Sequence, residues 1–108
     1  MGYTSATIEV FKSEAFARWI AKLKDRQAVA RINARILRLA ETGHFGDAKP
    51  VRGGVSEMRI DYGPGYRVYF MRHGATLIVL LAGGDKRTQD SDIDDAIRVA
   101  QEWRARYG

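Results

Sequence analysis

The chain has 108 residues, 45% of them apolar, with two Trp, five Tyr and four Phe, enough to close one small core in a single domain over residues 1–108. It has no Cys, which excludes a disulfide framework, a thiolate metal site and a thiol nucleophile. Lys and Arg number 18 against 13 Asp and Glu, a net charge of +5, and residues 1–89 hold 15 of the bases and 8 of the acids, so a polyanionic partner is expected, nucleic acid first.

Ala6 to Phe11 alternates and is rich in β-branched residues, the pattern of a first strand. Ser13 is placed to cap a helix whose apolar side is Phe16, Trp19, Ile20 and Leu23. Asp25 to Gln27 interrupts that spacing, and a second helix follows with Val29, Ile32, Ile36 and Leu39 on one face and Gly43 as its left-handed cap. Residues 43–54 carry four Gly and one Pro and read as a loop. Val55 to Tyr62 alternates, with Met58, Ile60 and Tyr62 on one face and Glu57, Arg59 and Asp61 on the other. After the Gly63-Pro64-Gly65 turn, Tyr66 to Arg72 sets Tyr66, Val68 and Phe70 opposite Arg67, Tyr69 and Met71. Thr76 to Ala82 is apolar on both faces, as in a covered central strand. A last helix is expected from Ser91, with Asp92, Asp94 and Asp95 at its positive end and Ile93, Ile97, Ala100 and Trp103 buried. The expected fold class is α+β, ordered β-α-α-β-β-β-α: a small antiparallel sheet with helices packed on one face and a cationic face left open.

No apolar run approaches the ~18–20 residues that span a bilayer. Met1 to Thr7 lacks the charged start and apolar stretch of a signal peptide, so the expected compartment is the cytoplasm, with no membrane partner. The chain carries no GxSxG, Walker or HExxH motif and two histidines, His44 and His73, beside turn glycines, so neither a Ser-His-Asp triad nor a zinc site can be assembled, and no cofactor is expected. What remains is cationic. Arg59 and Arg67 fall on outward positions of adjacent strands, and Lys86 leaves the end of the next one past Gly83-Gly84. Three converging cations can grip a phosphodiester and stabilise charge that builds on it. Each also has a plainer reading: Arg59 as a salt-bridge partner of Glu57 or Asp61, Lys86-Arg87 as a polar connector, and the Arg31, Arg35, Arg38 ridge as a solvated helix face. Tyr69 shares the face of Arg67 and is the tyrosine placed to stack on an unpaired base, whereas Tyr62 and Tyr66 point inward.

The order of elements, together with Lys49-Pro50-Val51-Arg52-Gly53, Glu57-Met58-Arg59-Ile60, Gly65 to Phe70 (GYRVYF) and Leu80 to Gln89 (LLAGGDKRTQ) followed by Asp92-Ile93, resembles the RelE/ParE toxin superfamily over nearly the whole chain. The ending is similar to the "addiction module killer protein" branch, near the HigB-like toxins. The resemblance implies the toxin of a type II toxin–antitoxin pair and metal-free, ribosome-dependent mRNA cleavage by attack of a 2′-hydroxyl on its own phosphate. It carries over Arg67 as the arginine that stabilises the transition-state phosphate, Arg59 as a basic residue aiding nucleophile or phosphate, and Lys86 as donor to the leaving 5′-oxygen. RNA contacts are expected from Tyr69, Lys49, Arg52, Arg87, Gln89, Arg31, Arg35 and Arg38. The general base is left unassigned, since Glu57 stands where RelE has a second lysine. The implied partners are a helix-turn-helix antitoxin encoded alongside, the ribosome and mRNA; ParE-like gyrase inhibition and a non-catalytic RNA-binding relic are the alternatives on the same fold.

Overall fold

A computed structural model describes residues 8–108; Ala6 and Thr7 of the expected first strand lie outside the described residues. The chain runs through a strand β1 (Glu9–Lys12), helices α1 (Glu14–Lys22) and α2 (Arg26–Thr42), strands β2 (Ala48–Pro50), β3 (Ser56–Ile60), β4 (Tyr66–His73) and β5 (Leu77–Gly84), a 3-10 turn (Lys86–Thr88) and helix α3 (Gln89–Tyr107). The fold is α+β, as the sequence implies. The strands form one sheet in the order β1-β5-β4-β3-β2, antiparallel except where β1 lies parallel to β5.

The helices begin and end where local chemistry says they should. Ser13 Oγ accepts the Phe16 N–H at 3.1 Å and donates to the Leu81 carbonyl at 3.1 Å, so one hydroxyl both caps α1 and ties it to the central strand. Asp25 caps α2 through the Ala28 N–H, and Gly43 closes it at φ 74°, donating to Leu39. Its buried stripe is Ala28, Ile32, Ile36 and Leu39; Ala28 takes the place expected of Val29. α3 starts at Gln89, two residues before Ser91, because the 3-10 turn leads straight into it.

Two expectations need correction. The 43–54 segment is not all loop: Ala48–Pro50 pairs with β3 in register Ala48↔Met58. Three residues ending in Pro show no alternation, and a proline is tolerated there because β2 is an edge. Nor do the helices share one sheet face. α1 and α2 cover Met58, Ile60, Val68, Phe70, Ile78 and Leu80, while α3 covers Tyr69, Met71, Val79 and Leu81 from the other side. β4 and β5 are apolar on both faces, and among the described residues α3 carries the apolar stripe that covers the second one. It packs chiefly on β5 and β4. The open surface therefore shrinks to the β2–β3 end of that face, where Lys49 is exposed and Arg59 half-exposed.

A bulge at Tyr69/Phe70 shifts the register, so that Tyr69 faces Ala82 and Phe70 faces Leu80. Leu81 and Ala82 both point toward α3 as a result. Beyond them β5 continues through Gly83 and Gly84, past the Ala82 end of the apolar run. A Cβ on Gly83 would meet the Trp19 ring, and one on Gly84 would meet the Asp92 carboxylate. The glycines let α1 and α3 approach the strand end from opposite sides. Gly83→Ala should cost at least about 2 kcal/mol through overpacking, about 10 °C of melting temperature in a chain of this size. Thermal melts followed by circular dichroism measure it; an unchanged midpoint would mean Trp19 does not seat on Gly83.

Candidate active site

The β3–β4 register sets Arg59 directly opposite Arg67, with Glu57 opposite Tyr69 one pair further along. Lys49 on β2 faces Glu57, which places all of them on the α3 side of the sheet. Glu57 is the centre of the group. It is 1% exposed, and its two oxygens lie 3.6 Å from Arg67 Nε and 4.0 Å from Arg59 Nε. Gln89 Nε2, from the first turn of α3, donates to Glu57 Oε2 at 3.4 Å. A carboxylate removed from water needs opposite charge close by, and two guanidinium groups supply it.

The arginines are held at their other ends too. Arg67 Nη1 donates to the Gly65 carbonyl at 2.8 Å, and Arg59 Nη2 donates to Asp47 Oδ1 at 3.0 Å. That bond and the charge of Asp47 push the Arg59 pKa up, so it stays cationic throughout. Arg67 was expected to face solvent but is 8% exposed, because α3 and the Gly65 turn close over it. Glu57 Oε1 and both Nε atoms have no hydrogen-bond partner within the protein, so charge rather than hydrogen bonding joins the three.

Lys86 is exposed and opens the 3-10 turn after β5, a turn fixed by Asp85, whose Oδ1 accepts the Arg87 N–H at 2.8 Å. The Asp85 carboxyl is held below its ordinary range by the Arg87 side chain first and then by that backbone bond. Gly65, at φ 82°, is where Lys86 and Arg67 meet: a Cβ there would lie 3.3 Å from Arg67 Nη1 and 3.6 Å from Lys86 Cβ. Arg59 and Arg67 are therefore cross-strand neighbours, as the alternation suggests, and the backbone end of Lys86 approaches Arg67 at Gly65. A half-exposed guanidinium beside a buried one is an arrangement that attracts an anion.

The remaining residues divide. Lys49 flanks the cluster and Gln89 borders it, while Arg87 is held in an exposed pair with Asp85. Arg52 reaches the other way, to Asp94 Oδ1 at 2.6 Å. Arg31, Arg35 and Arg38 belong to α2, on the opposite sheet face. Arg31 lies over the Tyr62 ring, and Arg35 donates to the carbonyls of Arg59 and Phe45, a buttress whose burial lowers its pKa. Arg38 is exposed. Tyr69 is the clearest correction. It is 0% exposed beneath α3, so it offers no ring to a base. Tyr66 is buried and Tyr62 half-buried in the other core, as alternation implies. Asp61 pairs with neither arginine; Asp47 and Glu57 take that part. Among the described residues no group of three His, Asp or Glu side chains could hold a metal ion.

Glu57 was legible as an outward residue and a candidate partner of Arg59, but not as buried or paired with Arg67, and Asp47 not at all, because its loop position shows no periodicity. Removing one partner of a buried charge pair costs ~3–5 kcal/mol; with Arg59 and Gln89 still beside Glu57, the low end applies to Arg67→Ala. That variant should melt about 10 °C or more below the wild type, whereas Lys86→Ala, on an exposed turn, should melt with it. Equal melting of both variants would show that Glu57 does not depend on Arg67.

Burial first, then the charges of Glu57 and Asp92, pushes the Tyr69 phenol up from 10.0 to about 12, and its hydroxyl has no partner within the protein. The unfolded chain releases this proton near pH 10 and the folded one near 12, so stability present below pH 10 is lost as pH rises between them. Tyr69→Phe should gain about 1 kcal/mol at neutral pH by removing an unpaired buried hydroxyl. Its advantage in urea midpoint should widen from pH 10 to 12. A less stable variant would mean the hydroxyl is satisfied.

No family model matches the chain. A protein of Haemophilus influenzae, described as uncharacterized, is 51% identical over 96 residues, covering 89% of this chain and 96% of that one. The chain belongs to the same family as that protein. Among solved structures, a mutant of the E. coli toxin RelE in the free state superposes with a TM-score of 0.61 at 11% identity, over 82% of this chain and 96% of that one. The RelBE2 toxin–antitoxin complex of Mycobacterium tuberculosis gives 0.50 at 19% identity, over 77% and 95%. The fold is that of RelE.

Proposed function

We propose that this chain is the toxin of a type II toxin–antitoxin pair, near the HigB-like branch, and that it cleaves translated mRNA on the ribosome without a metal ion. The observation that carries the reading is the pairing of Arg59 with Arg67 across β3 and β4, beside Lys86. An RNA phosphate seats against the half-exposed Arg59 guanidinium, with the nearly buried Arg67 adding its charge from behind, and the adjacent 2′-hydroxyl attacks the phosphorus. Negative charge grows on the non-bridging oxygens, where Arg67 and Arg59 neutralise it without moving, since Glu57, Gly65 and Asp47 already hold them. Lys86 gives a proton to the departing 5′-oxygen. The 2′-hydroxyl proton leaves through water, because Glu57 is sealed under the arginines and cannot reach it. The products are a 2′,3′-cyclic phosphate and a 5′-hydroxyl. Lys49, Arg87 and Gln89 flank the phosphate seat and steer the strand.

Lys86→Ala is the clean test, because its side chain is exposed and carries none of the buried network. With mRNA and programmed ribosomes, it should cut ~10²–10³-fold more slowly than the wild type, the usual loss for one transition-state donor. End mapping should find cyclic or 3′-phosphate beside 5′-hydroxyl. A 5′-phosphate would indicate a water nucleophile and defeat the mechanism. Arrested cells with intact transcripts and damaged DNA would assign the chain to gyrase inhibition.

A further inference from the structure

At the far end of α3 from Glu57 lies a second feature that RNA cleavage does not use. β1, the start of α1 and the last turns of α3 enclose a groove of about 460 Å³. Its floor is aromatic. Phe11 and Tyr107 are 39% and 54% exposed, and Trp103 meets both, with ring centroids 6.1 and 5.0 Å away. The Trp103 indole N–H is buried and has no hydrogen-bond partner within the protein. Lys12, Arg18, Arg98 and Arg106 rim the groove against two carboxylates, Glu14 and Glu102. Those carboxylates are already matched, by Arg18 at 3.7 Å and Arg98 at 3.6 Å. Among the described residues Lys12 and Arg106 form no ion pair, so the rim is left with two uncompensated cations.

We infer that this groove docks an acidic, apolar-centred segment of a partner protein, which on the function proposed above is the antitoxin. Charge complementarity selects the partner: carboxylates answer Lys12 and Arg106, while apolar side chains cover Phe11, Trp103 and Tyr107. The groove is poorly suited to RNA. Its rings pack edge-on and tilted against one another rather than presenting parallel faces on which bases could stack. A second copy of this chain is also a poor occupant, since its acidic stretch has Asp94 engaged by Arg52 and Asp95 by Arg98. Trp103 lies 14 residues beyond Gln89, about 21 Å along the helix. One end of α3 therefore bears the groove and the other hydrogen-bonds Glu57.

The experiment uses the full chain carrying Lys86→Ala, so that it can be produced, and the purified product of the adjacent gene as probe. Calorimetry should show tight binding, at least 10-fold weaker once Lys12→Glu and Arg106→Glu are added and weaker again with Tyr107→Ala. Lys12→Glu with Arg106→Glu in the otherwise wild-type chain should leave mRNA cleavage unchanged while the adjacent gene no longer rescues growth. Undiminished affinity, or a loss seen only with Lys49→Glu and Arg87→Glu, would overturn the groove and leave the toxin reading standing. No binding by the parent chain would overturn both. Groove substitutions that instead dissolve a dimer of the chain, or release a single-stranded RNA oligonucleotide, would assign the surface to those occupants and overturn the proposal.

Discussion

Two adjacent strands, β4 and β5, present apolar side chains on both faces, and nearly everything else in the structure follows from covering them. Tyr66, Val68, Phe70, Ile78 and Leu80 need one layer of cover; Tyr69, Met71, Val79 and Leu81 need another. The helix pair α1–α2 takes the first face and α3 the second. Burying such side chains is the main favourable term in a chain without disulfides, at roughly 1.5–3 kcal/mol for each large one. With α1 and α2 committed, α3 has one place to go. Its seat on β5 is close enough to require Gly83 and Gly84, which bare the strand end to Trp19 on one side and Asp92 on the other.

That placement creates the cationic cluster as a boundary effect. α3 covers β4 and β5 but stops short of β2, so Glu57 and Arg67 fall under its edge while Arg59 and Lys49 remain in reach of solvent. A carboxylate flanked by two arginines at 3.6 and 4.0 Å contributes little to stability in itself, since desolvation offsets much of the attraction. What it contributes is position. The guanidinium groups are set before any anion arrives, and donors that need not reorganise stabilise developing charge best. Asp92, whose carboxyl is pushed up by burial, sits at the same helix end and is anchored by Thr88.

α3 thus has two distinct ends. Its first turn touches the residues that would meet a phosphate, and its last turns line an aromatic groove with spare positive charge. One helix therefore connects Gln89, which hydrogen-bonds Glu57, to the aromatic groove around Trp103.

Local pattern in the sequence was sufficient for the helices, for the longer strands and for which residues share a face, whereas β2, three edge residues ending in Pro, left no such pattern. The Ser13 and Gly43 caps, the covered strand through Leu80, and the pairing of Arg59 with Arg67 all depend on near neighbours or on period-two alternation, which the order of residues carries directly. Depth was another matter. Whether an outward face meets water or another helix depends on where α3 lands, and no local period records that. So Arg67 and Tyr69 were legible as neighbours but not as buried, Arg35 as a surface ridge but not as a buttress of β3, and Glu57 as outward but not as the charge between two arginines. Arg35 and Arg59 are 24 positions apart, and Glu57 and Gln89 are 32 apart; only the packed layers bring such residues together.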